Sequence, residues 1–129
     1  MAPPRSETVL VVEDQEPVRK VVQEFLESMG YNVLEARDGD EALRVCQQHP
    51  DPIRLMMTDV VMPGMSGYEL AQRLAPLRPE MKVLYMSGYT RDVMAQDGVL
   101  DGSKAFLQKP FTRDDLVRTV RQLLAAGKE

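Results

Sequence analysis

Asp59 ends an apolar run, LMMT (55–58), and is followed by VVMPGMSG, a stretch with one proline, two glycines and no basic residue. A carboxylate at the end of a buried strand needs a counter-charge, and none is adjacent in sequence. Three other apolar runs also end on reactive residues. TVLVV (8–12) leads into Glu13 and Asp14, KVLYM (82–86) into Ser87, and KAFLQ (104–108) into Lys109. Three carboxylates brought together repel, so each resists ionising alone. A hard divalent cation resolves the conflict, and Mg²⁺ is typically held by one or two carboxylates plus waters and phosphate oxygens. The lysine adds a second positive charge. This set suits phosphoryl transfer, where positioning and neutralisation of oxygen charge supply most of the catalysis. An aspartate can itself be the nucleophile and form an aspartyl phosphate, and a serine hydroxyl can donate to a phosphoryl oxygen.

Each residue alone has a plainer explanation. Glu13 and Asp14 suit the opening of a helix, where acids favour the dipole. Ser87 before Gly88 suits a turn, and Lys109 before Pro110 a solvated surface. It is their joint occurrence at strand ends that points to a site.

The elements that must position them alternate along the chain. Predicted strands at 8–12, 31–36, 53–58, 82–87 and 104–108 are short and apolar, as expected of strands buried on both faces. Between them, Val18, Val21, Val22, Phe25, Leu26 and Met29 recur at helical spacing, with Gly30 as the stop. Asp38 is placed to cap a second helix that buries Ala42, Leu43 and Cys46 and ends at His49-Pro50, with His49 a solvated cap. A third helix runs from about Gly67 to a break at Pro76. Segment 89–102 carries the weakest helical pattern, with glycines at 98 and 102. Thr112 and Asp115 form a capping box before the stripe Leu116, Val117, Val120, Leu123 and Leu124. The alternation predicts a single (βα)5 domain, a doubly wound α/β fold with a parallel sheet between helices. Its sites form outside the carboxyl ends of the strands. The second strand ends in Glu35-Ala36-Arg37 and adds nothing obvious to the set.

Bulk properties narrow the function. A chain of 129 residues fits one domain. Its net charge of −4 argues against a nucleic-acid or anionic-membrane partner, because both favour a basic face. No apolar run is long enough to cross a membrane, and MAPPRSET lacks the apolar centre of a signal peptide. The single cysteine, Cys46, forms no internal disulfide and reads as a small buried side chain, consistent with a cytoplasmic location.

VLVVEDQ, TDVVMPGMSGYEL, VLYMSGY and FLQKPF stand in the order and spacing of a known family. From about Thr8 to Leu124 the chain resembles the receiver domain of two-component response regulators, most closely receivers fused to hybrid sensor histidine kinases. The resemblance implies a flavodoxin-like sheet of order 2-1-3-4-5, which is the order known for this fold rather than one read from the residues. It implies that Asp59 is the phosphoacceptor, charged by a sensor histidine kinase. It further implies that Asp14 binds Mg²⁺ directly, Glu13 through water, and Val61 through its backbone carbonyl. Lys109 would contact the phosphoryl group across a cis bond to Pro110. Ser87 and Phe106 would be switch residues: the hydroxyl moves toward the phosphoryl group and the ring repacks into the space. The output surface would be the fourth helix, fifth strand and fifth helix, presented to an output partner or a histidine phosphotransfer protein. The domain is expected over 8–125, with a lead-in at 1–7 and a tail at 126–129, and it would catalyse only its own phosphorylation and dephosphorylation.

Departures from the family pattern are few. Arg54 stands where relatives often carry an acid, and Val61 and Tyr89 add bulk beside the site. A haloacid-dehalogenase-type hydrolase would need a second acid where Val61 stands. A flavodoxin-like cofactor site would need a phosphate-cradling loop where Glu13 and Asp14 would repel an anion. The remaining alternative is a degenerate receiver acting as a phosphorylation-independent interaction module, yet such modules usually lose one of the residues kept here. Only AAGKE follows the last helix, so no output domain is expected within the chain, whether it is free-standing or part of a hybrid kinase.

Overall fold

The run Thr8–Val12, β-branched at every position but Leu10, is buried throughout and forms β1, which pairs on both edges. The structure is a computed structural model and describes residues 7–88 and 105–126. After β1 come α1 (Glu16–Ser28), β2 (Asn32–Ala36), α2 (Gly39–Gln48), β3 (Leu55–Asp59), α3 (Gly67–Leu74), β4 (Lys82–Ser87), β5 (Ala105–Gln108) and α4 (Arg113–Ala126), the last being the fifth helix predicted from sequence. The five strands form one parallel sheet in the order β2-β1-β3-β4-β5. This is the flavodoxin-like order that the resemblance implied. The predicted helix over 89–102, Tyr89 and the first residue of the predicted fifth strand lie outside the described residues.

Alternation along the strands divides the core into two layers. Val9, Val11, Leu55, Met57, Leu84 and Met86 face α1 and α4, where Val22, Leu26, Leu116 and Val120 meet them. Leu10, Val12 and Met56 face the other side, against Ala42 and Cys46 of α2 and Leu70 and Leu74 of α3. Burial raises the Cys46 thiol above its ordinary pKa, as expected of a packing residue rather than a reactive one.

The helix ends follow the sequence signals closely. Asp38 Oδ1 accepts from the Glu41 amide at 2.9 Å. Thr112 and Asp115 cap each other, the Asp115 amide donating to Thr112 Oγ1 at 3.0 Å and the Thr112 amide to Asp115 Oδ2 at 3.1 Å. Gly30 ends α1 with φ of 96°, a conformation that costs glycine little. α1 starts at Glu16, before its first apolar residue, with Pro17 in the first turn where no amide donor is needed. His49 does cap α2, but it is not the solvated ring expected. Its Nε2 is buried with no hydrogen-bond partner among the described residues, and at this end of the helix Arg78 donates to the carbonyls of Cys46, His49 and Asp51.

Arg54 lies before β3, at the amino edge of the sheet, and pairs with Glu7 at 2.5 Å. Among the described residues no helix is long and apolar enough to cross a membrane.

Candidate functional site

Because the strands are parallel, their carboxyl ends share one edge, and the predicted residues meet there. A cavity of about 200 Å³ is lined by Glu13, Asp14, Asp59, Val61, Ser87 and Lys109, among others. β3 brings in Asp59, whose Cα pairs in register with Met86 of β4, and β4 then ends at Ser87. The Lys109 amide donates to the Ser87 carbonyl at 2.8 Å, so the lysine is seated just past the sheet ladder. Its bond to Pro110 is cis.

The charges are unevenly placed. Glu13 is fully buried and Asp59 is 5% exposed, whereas Asp14 is exposed at the cavity mouth. One oxygen from each of these acids lies within 4.8 Å of the others. Lys109 Nζ sits 2.6 Å from Asp59 Oδ1 and 2.8 Å from Glu13 Oε1, while Glu13 Oε2 accepts from the Gln15 amide at 3.1 Å. One lysine thus serves two buried carboxylates. Burial and the neighbouring Glu13 raise the Asp59 pKa to about 7, against the opposing pull of Lys109. Burial also works to raise Glu13, but its hydrogen bonds from Asp59, Lys109 and the Gln15 amide prevail and hold it below the usual range. Burial works to lower Lys109, and its two acid partners outweigh that and raise it. The site therefore holds a negative surplus among hard oxygen donors, the donor set that suits Mg²⁺.

Phe106 stands apart from the acids. It is half-buried, with its ring centroid 5.4 Å from that of Tyr85, and Tyr85 in turn meets Tyr68 edge-on at 4.8 Å. Tyr85 and Ser87 are two residues apart on β4 and so share a face of the sheet. The aromatic row therefore begins one step back along the strand from the serine.

Three residues that sequence reasoning did not assign also shape the site. Arg19 Nη1 donates to the Glu13 carbonyl at 2.9 Å, and its Nε donates to Glu35 Oε1 at 3.1 Å. Glu35 thus joins the site indirectly, through α1. Its carboxyl is held below the usual range: burial works upward, and the contacts with Arg19 and Lys20 outweigh it. The third residue is Gly67. A Cβ there would collide with the Asp59 carbonyl oxygen and come within 3.1 Å of Thr58 Cγ2. Only glycine lets α3 start this close to the end of β3. A glycine following the capping Ser66 was the available signal, but close backbone approach cannot be read from one chain segment.

The model of the response regulator receiver domain family matches residues 9–121. Over 119 residues the chain is 39% identical to the sensor kinase CckA of Brucella abortus (strain 2308), a match covering 92% of this chain and 13% of that kinase. It is 32% identical over 119 residues to the response regulator receiver protein CpdR of the same organism, covering 92% of this chain and 98% of CpdR. Among solved structures, the receiver domain from the hybrid histidine kinase CckA aligns with a TM-score of 0.77 at 34% identity, over 91% of this chain and 98% of that one. The fold, the strand-end acids and these matches agree: the chain belongs to the response regulator receiver domain family of two-component signalling.

Proposed function

We propose that the chain is an active phosphoacceptor, charged on Asp59 by a sensor histidine kinase. The observation that carries this reading is the Asp59 carboxylate, 2.6 Å from Lys109 Nζ at the floor of an acid-lined cavity. An Asp59 oxygen attacks the phosphorus of a phosphohistidine. A P–O bond forms, the P–N bond breaks, and the imidazole nitrogen leaves with the electron pair. Lys109 stays beside the acceptor and neutralises the charge that builds on the phosphoryl oxygens. Ser87 donates a hydrogen bond to one of those oxygens. Asp14, Asp59 and the Val61 carbonyl would hold Mg²⁺, with Glu13 acting through water, and the ion supplies charge neutralisation and in-line alignment when bound.

Beside the cavity, Pro17, Val18, Val21, Phe25 and Phe111 line an apolar groove of about 510 Å³ that Lys109 also borders. Val21 is 46% exposed there. A kinase docked in this groove would present its phosphohistidine directly to the lysine. Once Asp59 is charged, movement of Ser87 and repacking of Phe106 would alter the output surface that the resemblance implies, that of the fourth predicted helix, the fifth strand and the fifth predicted helix. The receiver unit spans 8–125 in this reading and works in the cytoplasm.

Intact mass after incubation with acetyl phosphate and Mg²⁺ tests the acceptor. The wild type gains one phosphoryl group that mild alkali removes, and Asp59→Asn gains none. A wild type that binds Mg²⁺ yet takes no phosphoryl group from acetyl phosphate or a kinase would instead support the interaction-module alternative.

A further inference from the structure

We infer that Arg19, braced by Glu35, is a positioning residue for the cation site: it fixes the peptide between Glu13 and Asp14, and so aims the Asp14 carboxylate. The inference rests on the Mg²⁺ site proposed above.

The carbonyl that Arg19 holds belongs to that peptide, and the next Cα is that of Asp14. Asp14 is exposed, and among the described residues no hydrogen bond or ion pair directs its side chain. Its aim therefore depends on the backbone beneath it. Other bonds hold this loop: the Glu13 amide to the Ala36 carbonyl at 3.0 Å, the Gln15 amide to Glu13 Oε2 at 3.1 Å, Lys109 Nζ to Glu13 Oε1 at 2.8 Å and the Arg19 amide to the Gln15 carbonyl at 2.9 Å. None of them bears on the Glu13 carbonyl. Without Arg19 that peptide plane is free to tilt.

Arginine suits this role by shape. Its planar fork reaches two acceptors at once, Glu13 O and Glu35 Oε1, with the side chain only 14% exposed. A lysine offers one ammonium and cannot reproduce the fork. Glu35 also offsets the arginine charge, which would otherwise repel a cation at the acid cluster. Lys20 touches Glu35 as well, but it is 49% exposed and makes no bond to the loop.

Charge and geometry predict opposite signs. If Arg19 acted only as a nearby cation, its removal would tighten Mg²⁺ binding. If it positions the peptide, removal weakens binding, and groups behind metal ligands typically account for about tenfold or more in affinity. Mg²⁺ demands near-ideal octahedral geometry whereas Ca²⁺ accepts irregular shells, so misaimed ligands should weaken Mg²⁺ more than Ca²⁺.

The test is calorimetric titration of Mg²⁺ and of Ca²⁺ into wild type, Arg19→Ala, Arg19→Lys, Glu35→Gln, Lys20→Ala and Asp14→Asn, each first shown to be folded by circular dichroism. Arg19→Ala and Arg19→Lys are expected to raise the Mg²⁺ Kd by about tenfold. They should raise the Ca²⁺ Kd less, with Glu35→Gln intermediate and Lys20→Ala within twofold of wild type. Tighter Mg²⁺ binding in Arg19→Ala, recovery of wild-type affinity in Arg19→Lys, or equal losses for both ions would each overturn the positioning role. Should Arg19→Ala not fold, Arg19→Lys and Glu35→Gln carry the comparison. If wild type and Asp14→Asn bind Mg²⁺ alike, it is the proposed cation site that fails rather than the role of Arg19.

Discussion

Lys109 reaches across the end of β4 to place its Nζ 2.6 Å from Asp59 Oδ1, although β5, which precedes it, and β3, which carries the aspartate, are not neighbours in the sheet. The pair answers the need for a counter-charge at Asp59, but only in part, because the lysine is shared with Glu13. The metal-free site stays over-negative, and the first two predictions depend on that surplus.

Asp59 is expected to make the metal-free protein less stable as pH rises. Its pKa goes from 3.8 when unexposed to neighbours or burial to about 7 in the folded chain, so between these values the folded state binds more protons than the unfolded one. Stability contributed by this group is therefore full below about pH 4, falls through the window, and is lost above about pH 7. With a chelator present, Asp59→Asn should raise the melting temperature more at pH 8 than at pH 5. An equal gain at both values would show that the aspartate titrates normally.

Added Mg²⁺ should stabilise the wild type by mass action, with a smaller effect on Asp14→Asn. The gain should also be larger at pH 8 than at pH 6, because a protonated Asp59 is a poor ligand. Melting curves over a series of Mg²⁺ concentrations at the two pH values check both statements. A pH-independent gain would remove Asp59 from the ligand set.

Gly67→Ala should destabilise the fold by about 2–3 kcal/mol, since the new methyl group meets backbone that cannot yield easily. Gly39→Ala is the control. Its Cβ would meet the Met65 side chain, 2.9 Å from Sδ and 3.1 Å from Cβ, which can shift more readily than the Asp59 backbone, and a loss of about 1 kcal/mol is expected. Denaturant titration of both variants decides. Similar losses at the two positions would mean that α3 shifts away from Asp59 at little cost.

A phosphoryl mimic such as beryllofluoride should change amide exchange across residues 87–111, and Ser87→Ala should reduce the change. Tyr85 lies between Tyr68 and Phe106 in the aromatic row, so repacking of Phe106 would alter its contact with Tyr85. Unchanged exchange in the wild type would remove the switch while leaving the acceptor chemistry intact.

The sequence by itself determined the elements and the chemistry of the strand ends. Burial on both faces demands unbroken apolar runs, and helix caps demand particular side chains, so Thr8–Val12, Asp38 and the Thr112–Asp115 box were legible locally. Parallel strands then place Glu13, Asp59, Ser87 and Lys109 along one edge. The tertiary structure alone decided how the charge is shared there. That Lys109 serves two acids, that Glu13 is buried while Asp14 is exposed, and that Arg19 ties Glu35 to the Glu13 carbonyl all depend on distances between segments far apart in sequence. Gly67 belongs with these, because its need for glycine comes from the Asp59 backbone and not from its own turn. The burial of His49 Nε2, at a helix end where Arg78 from beyond α3 binds the His49 carbonyl, was likewise not legible locally. Hydrophobic pattern and capping are short-range and repeat along the chain, whereas the sharing of one lysine between two carboxylates exists only once the strands are side by side.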